Sequence, residues 1–404
     1  MSDKVFSYTT VTLQQALELA VEHHQAGDLS KAENIYQKIL KTDPNHFQSL
    51  HLLGVIAYQR GQKEESLELI THALTLNPKV AEAHNNLGNV FKALGRQDEA
   101  FASYKRALNL QPNYADAHNN LGLVLKEQGK LDEAVVSYQE ALRLKPGFAG
   151  AYNNLGGVYI QMGKVDEAIS CLQKAISIEP DSPGIQHRLD SLLGNTTDCA
   201  PRKYVEEVFN SYANKFDDHL VNKLKYKTPA LLKGALRDLG WGERKYKNAI
   251  DLGCGTGLSG FEFRDIVETL VGIDVSENMI NKAKTKNIYD ELYVDDIIPR
   301  LNVLKTKFDL FISCDVFVYI GDLLPLFNCV RDHSNQNSVF TFSTEHTDEK
   351  DFVLRDSARY AHSKDYVLSV ASKSGFECEL FTESNLRYEK NNWIIGGIYI
   401  LNCV

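Results

Sequence analysis

Pro44, Pro78, Pro112, Pro146 and Pro180 stand 34 residues apart, each after the last. Gly27, Gly61, Gly95, Gly129 and Gly163 keep the same step, as do Gly54, Gly88, Gly122 and Gly156. Three registers with one period require a single supersecondary unit copied along the first half of the chain. In one copy, His84, Leu87, Gly88 and Phe91 belong to a first helix, and Ala100, Tyr104 and Ala107 to a second. Small residues stand where the helices cross closely, and large ones fill the gaps. Gly95 stops the first helix and Pro112 keeps the second from running on. Such a pair buries only one face alone, so the pairs stack into a solenoid. Ser182 to Leu193 is expected to cap its end, giving five repeats and a capping helix over residues 1–194.

This is the pattern of tetratricopeptide repeats. The solenoid leaves a concave groove lined by the first helices, where Asn85-Asn86, Asn119-Asn120 and Asn153-Asn154 recur. Amides hydrogen-bond an extended peptide backbone without selecting side chains. Caps and solvation of the repeat are the competing use of the same residues. The ladder resembles asparagine-lined tetratricopeptide grooves that hold extended protein segments. That resemblance implies a protein or peptide ligand contacting Asn86, Asn120 and Asn154.

Residues 195–203, Asn-Thr-Thr-Asp-Cys-Ala-Pro-Arg-Lys, read as a linker. From Tyr204 to the end the pattern changes. A mixed-charge helical stretch, Val205 to Leu224, precedes alternating strands and helices. The strands are expected at 248–252, 270–274, 291–294, 308–314, 339–343, 378–383 and 393–402. Alternation of this kind implies a largely parallel sheet with helices on both faces, and ligands bind beyond the strand C-termini. Asp251, Asp274, Asp296 and Asp315 all fall at that edge.

After the apolar Ala249-Ile250 comes Asp251-Leu252-Gly253-Cys254-Gly255-Thr256-Gly257, then a helix. Glycines allow φ > 0 and close ligand approach in a strand-to-helix turn. Asp274 ends the second strand, where an acid can hold two ribose hydroxyls. The spacing is not the Gly-x-Gly-x-x-Gly of dinucleotide binders. It resembles the turn of class I S-adenosylmethionine-dependent methyltransferases. The resemblance implies an α/β Rossmann-like domain over 204–404 with S-adenosylmethionine as cofactor. By it, Gly253, Gly255 and Gly257 approach the methionine moiety, Asp251 helps fix its amino group and Asp274 takes the ribose diol. Met279 packs on the adenine or simply in the core. Asp296 accepts the adenine amine, with Asp295 as its competitor. Cys314 and Asp315 end the fourth strand beside cofactor and acceptor. No Asn/Asp-Pro-Pro-Tyr/Phe and no Pro-Cys nucleophile follows that strand. This favours an oxygen acceptor and leaves nitrogen open.

The segments 209–221, 287–292, 315–323 and 359–363 look like those of a bacterial group of predicted methyltransferases fused to tetratricopeptide repeats, a likeness that runs from Leu13 onward. Asn210 departs from it, where Asp is expected. Arg359-Tyr360-Ala361-His362-Ser363 lies where acceptor-side loops sit in this fold. His362 has the pKa range of a general base or serves as a helix-start histidine. Tyr360 and Asp315 are the other candidates for taking the proton, and Arg359 for binding the acceptor. Tyr212, Phe216 and His219 have helical spacing and either lid the cofactor or pack on the sheet.

A net charge of −9 gives no general drive toward nucleic acid or anionic lipid. No apolar run reaches membrane-spanning length, and no apolar signal segment follows Met1-Ser2-Asp3-Lys4. Seven scattered cysteines, without Cys-x-x-Cys, fit reduced thiols in a cytoplasm and give no case for a metal. The expected protein is a cytoplasmic methyltransferase whose repeats recruit a protein or peptide acceptor. The alternatives are a small-molecule or glycan methyltransferase that uses the repeats for assembly, and a non-catalytic scaffold that senses cofactor. Oligomeric state is not encoded in these patterns.

Overall fold

The computed structural model describes residues 12–349, 351–389 and 391–404; the Met1–Lys4 start lies outside the described residues. The chain divides into two compact units, residues 1–180 and 181–404.

The first unit is a solenoid of helices α1 (Leu13–Gln25), α2 (Leu29–Thr42), α3 (Phe47–Gln59), α4 (Lys63–Leu76), α5 (Ala81–Ala93), α6 (Gln97–Leu110), α7 (Ala115–Glu127), α8 (Leu131–Leu144), α9 (Ala149–Gln161) and α10 (Val165–Ile178). The odd helix of each pair ends in a left-handed glycine, as at Gly95 with φ 78°. A Cβ on Gly88 would lie 2.5 Å from the Tyr104 ring, so only glycine lets α5 and α6 cross there. Tyr104 is fully buried and its hydroxyl donates to Asn89 Oδ1 at 2.8 Å. Gln111, which caps α6, leaves the helical region at φ −138° and ψ 88° because Pro112 follows it.

The second unit opens with α11 (Pro183–Leu193), closed by left-handed Gly194. By its packing, this helix belongs with the α/β unit. Residues 195–201 are stitched to that unit as well. Ala200 N donates to Tyr319 O at 2.9 Å, Gly321 N and Asp322 N both donate to Asp198 O at 2.8 Å, and Thr197 Oγ1 bonds the Tyr360 hydroxyl at 2.6 Å. The helical stretch expected at 205–224 is broken. Helix α12 (Arg202–Tyr212) gives way to a 3₁₀ turn, one turn of helix α13 (Phe216–Asp218) and a π-helical turn, His219–Lys223.

The remaining elements are α14 (Thr228–Asp238), β1 (Tyr246–Leu252), α15 (Leu258–Phe263), β2 (Val267–Asp274), α16 (Glu277–Thr285), β3 (Glu291–Val294), α17 (Ile297–Val303), β4 (Phe308–Ser313), α18 (Leu324–Asp332), β5 (Ser334–His346), β6 (Phe352–Leu354), β7 (Tyr360–His362), α19 (Lys364–Lys373), β8 (Phe376–Glu389) and β9 (Asn392–Cys403). The parallel order is β3-β2-β1-β4-β5; β9 pairs antiparallel with β5 and carries β8 on its far edge. β5 outruns β4, and its last residues, Glu345 and His346, pair with Ala361 and His362 of β7. The loop expected at 359–363 therefore contains a short buried strand.

Apolar side chains leave the sheet on both faces. Phe311, Phe340 and Phe342 pack with Phe327 and Phe376 on one side. Leu310 and Ile312 pack with Leu232, Leu236 and Phe263 on the other. The period of two along β4 assigns these faces. Burial on both sides leaves the C-terminal ends of β1, β2, β3 and β4 as the place where polar groups can gather.

Candidate functional site

A cavity of about 1070 Å³ opens over those strand ends. Its floor is the turn after β1. Gly253 and Gly255 line it with φ 76° and 53°. A Cβ on Gly253 would lie 2.4 Å from Val316 Cγ2, whereas one on Gly255 would find nothing nearer than the Phe216 ring at 3.8 Å. The Gly255 amide donates to Asp274 Oδ2 at 2.9 Å, and the Ser276 amide to Asp274 Oδ1 at 2.8 Å. Both carboxylate oxygens are thus oriented by backbone, and the group faces the cavity. Burial pushes its pKa up to about 6, against those two bonds.

The lead-in helix lies over this floor. Asn210 Oδ1 accepts from Ser276 Oγ at 2.7 Å, and Lys286 Nζ meets Asp217 Oδ2 at 2.7 Å. Asp217 also accepts from Thr256 Oγ1. Asn210, the departure from the expected Asp, is therefore an anchor of the lead-in beside Asp274. Tyr212, Phe216 and His219 all line the cavity. The Tyr212 ring stands edge-on to both Phe216 and His219, and its hydroxyl bonds His219 Nδ1. Burial, helped by Lys223, lowers the His219 pKa, while Glu389 opposes the shift.

Val275, Ile297 and Ile298 supply an apolar wall. Asp296 caps α17 by accepting from Ile297 N at 2.8 Å. Asp295 is drawn to Arg300 at 2.9 Å and Arg202 at 3.5 Å. Cys314 and Asp315 close the opposite end. Asp315 adopts φ 56°, a conformation costly for a residue with a Cβ. Its Oδ1 accepts from Ser343 Oγ at 2.8 Å and its Oδ2 from Arg387 Nη1 at 2.8 Å. Arg387 is 5% exposed and also bonds Glu345 and, through Nε at 2.8 Å, Glu389 Oε1. Arg359 forks onto both oxygens of Glu389 at 2.9 and 2.5 Å. Burial works against these charges, but the two guanidinium groups hold the Glu389 pKa down at about 2.

The cavity therefore gathers Tyr212, Gly253, Gly255, Asp274, Asp296, Cys314, Asp315 and Arg359 among the residues expected from sequence. Others lie elsewhere. Asp251 is buried beneath the turn, where Oδ2 accepts from Ser259 Oγ and the Tyr289 hydroxyl, each at 2.6 Å; burial pushes its pKa up to about 6. Gly257 starts α15 and packs on Tyr289, whose ring lies 3.0 Å from where its Cβ would be. Met279 is wholly in the core, and Val275 takes the wall position instead. Tyr360 is fully buried with its hydroxyl on Thr197. His362 is fully buried in β7, outside the cavity lining. Its Nε2 lies 2.9 Å from Ile320 O and 3.1 Å from Gly321 O, and burial pushes its pKa down to about 4. With Nε2 donating to these carbonyls, the basic nitrogen is Nδ1, which is buried without a hydrogen-bond partner among the described residues and belongs to a side chain outside the cavity lining, so it does not take a proton from a ligand there. Tyr226, Tyr319, Arg387 and Glu389, together with Asp198 to Ala200, line the cavity without a local sequence signal.

In the repeat unit, Asn120 Nδ2 donates to Asn85 Oδ1 at 3.0 Å and Asn89 Oδ1 at 3.2 Å, and Asn154 Nδ2 to Asn119 Oδ1 at 3.0 Å. Asn86 Nδ2 lies 3.0 Å from His51 Nε2. The amide nitrogens tie each repeat to the one before it.

Residues 243–385 match the family described as a methyltransferase domain. Residues 88–129 and 123–163 match the TPR repeat family, and 17–79 and 149–182 two families described as tetratricopeptide repeat. No curated protein matches the chain. Among solved structures, MamA is 32% identical over 40% of this chain and 95% of that one, with a TM-score of 0.36. A thermophilic TPR protein of Thermus thermophilus is 25% identical over 45% and 99%, with a TM-score of 0.40. YrrB, described as a TPR protein with an unusual peptide-binding site, is 24% identical over 44% and 92%, with a TM-score of 0.37.

Proposed function

Because the chain belongs to the class I methyltransferases fused to tetratricopeptide repeats, we propose that it uses S-adenosylmethionine and that its repeats bring a protein or peptide acceptor. The observation that carries the cofactor assignment is Asp274, its two oxygens aligned by Gly255 N and Ser276 N beside a bare glycine backbone. The residues present fit the group. Asp274 would accept from the two ribose hydroxyls, and Gly253 and Gly255 would admit the methionine portion. Val275, Ile297 and Ile298 would flank the adenine, and Asp296 would accept from its amine. When bound, the cofactor supplies an electrophilic methyl group whose sulfur keeps the electrons of the broken bond.

The chain's own contribution is alignment, exclusion of water and removal of a proton. Tyr212 and Phe216 cover the floor. Asp315 and His219 are the cavity groups assigned to hold the acceptor and take its proton; His219, lowered in pKa, is neutral at pH 7. Arg359, beside Glu389, borders the acceptor end. In the groove, Asn86, Asn120 and Asn154 would meet the extended backbone of that acceptor. The free cysteines fit a cytoplasmic setting. Among the described residues no helix is long and apolar enough to cross a membrane.

Calorimetry on the whole protein tests the cofactor assignment. S-adenosylmethionine should bind the wild type, and Asp274→Ala should weaken binding by roughly 1–3 kcal/mol through loss of the hydroxyl partners. Equal affinity would remove Asp274 from the site. A second reading, with a small molecule or glycan as acceptor, is favoured by the way the repeat asparagines spend their N–H groups on one another. Methylation that survives replacement of all three asparagines would select it.

A further inference from the structure

The turn before β7 contains a residue in the left-handed region without being glycine. Ala358 has φ 59°. An alanine Cβ meets its own carbonyl environment there, so the surroundings must impose the conformation. Two backbone bonds close the turn: Ala358 N donates to Arg355 O at 2.9 Å, and Arg355 N to Arg359 O at 2.9 Å. The third hold comes from α11. His187 is buried against Tyr204 and Tyr360, with ring centroids 5.0 and 6.0 Å away, and its Nε2 lies 3.1 Å from Ala358 O. A carbonyl accepts, so Nε2 carries the hydrogen. Burial lowers the pKa of this ring and keeps it neutral. Its Nδ1 is then left buried with no hydrogen-bond partner among the described residues. If packing alone were needed, phenylalanine would fill the space without that cost. The residue after Ala358 is Arg359, whose guanidinium lines the cavity and grips Glu389.

We propose that His187 is a positioning residue: by holding the Ala358 carbonyl it fixes the left-handed turn that aims Arg359 into the cavity. The acceptor-side meaning of Arg359 rests on the methyltransferase reading; the positioning does not. The consequence is that the helix next after the repeats governs the charge arrangement at the far end of the cavity.

Glu389 reports the outcome, because, against its burial, Arg359 and Arg387 hold its carboxyl down at about 2, and among the described residues His219 also senses its charge. Its titration can be followed by ¹³C NMR in the full-length protein. His187→Phe keeps a ring against Tyr204 and deletes the donor. This should raise the Glu389 midpoint by at least about one pH unit, a tenfold change in proton affinity. Adding Ala358→Gly should reverse the rise, since glycine takes the same φ unaided. An unchanged Glu389 in a folded His187→Phe protein overturns the proposal. So does a rise that glycine fails to reverse, which would mark His187 as packing only. Should His187→Phe not fold, repair of folding by Ala358→Gly supports the proposal, and failure of both proteins overturns it. S-adenosylmethionine affinity, measured on the same proteins, should stay within about twofold. Absence of binding by the wild type would bring down the methyltransferase reading and leave the positioning standing.

Discussion

The amide of Gly255 donates to Asp274 Oδ2 at 2.9 Å, so the turn after β1 and the acid that ends β2 are one rigid assembly. Backbone from one strand orients the carboxylate of its neighbour before any ligand arrives. Such preorganisation lowers the ordering cost that binding would otherwise carry.

The pH dependence of cofactor binding should follow from this carboxylate. Hydroxyls donate to its ionised form, and burial pushes its pKa up to about 6. Affinity for S-adenosylmethionine should be flat above about pH 7 and fall below pH 6 by up to about tenfold per pH unit. Asp274→Asn should bind weakly and lose that limb. A calorimetric series from pH 5 to 8, roughly spanning the transition, checks it. A wild-type affinity constant across that range would show that the carboxylate is not a ligand group.

The two cavity glycines should answer differently to alanine. At Gly253 a Cβ would run into Val316 at 2.4 Å, with φ at 76°. Overpacking and strain together should cost about 1–4 kcal/mol of stability. At Gly255 the clearance is 3.8 Å, so the backbone conformation is the main penalty there and the new methyl projects toward the ligand side. Gly255→Ala should therefore melt nearer the wild type than Gly253→Ala, yet bind cofactor more than about tenfold more weakly. Equal melting temperatures for the two variants would contradict the packing seen at Val316.

His362 should control acid stability. Its folded pKa is lowered to about 4, below the unfolded value of about 6.5. Between those values the unfolded chain binds the extra proton, so stability is lost as pH falls from about 6.5 to 4, by about 3 kcal/mol in all. His362→Gln should flatten that part of a urea-midpoint profile. A pH–rate limb that survives in the same variant would also confirm that the base lies elsewhere.

Asn120 should act on the repeats before it acts on any partner. Its amide nitrogen holds Asn85 and Asn89 of the preceding repeat. Asn120→Ala removes both bonds and should cost about 1–2 kcal/mol. Urea unfolding followed by circular dichroism would measure it. A midpoint equal to wild type would free the amide for ligand contact alone.

What was legible in the chain is what is local. Gly95 and Pro112 punctuate helices through their own backbones, and Asp274 ends a buried strand. Each can be read in a window of a few residues. Arg387 cannot, because its partner Asp315 lies 72 positions away and is brought near only by the successive pairing of β8 with β9, β9 with β5 and β5 with β4. His362 failed for a related reason. Its type and position after the fifth strand suit a loop base, but the extra length of β5 recruits it into a ladder at His346. Met279 shows the limit of periodicity. The helix was legible, but which of its faces turned to the core depended on how α16 lay on the sheet.

The stitching of residues 198–200 onto 319–322 bears on where this protein can be recombined. Asp198 accepts two amides from the strip that walls the cavity, and Ala200 binds the same strip from its other end. A chimera joined at Pro201 would graft foreign sequence into the enzyme's own wall. One joined before Asp181 would exchange whole repeats and carry His187, Thr197 and Asp198 along with the half they serve. The seam between the two compact units thus falls before Asp181, ahead of the end of the repeats read from composition at residue 194, and grafts at the two places should differ in whether the second unit survives intact.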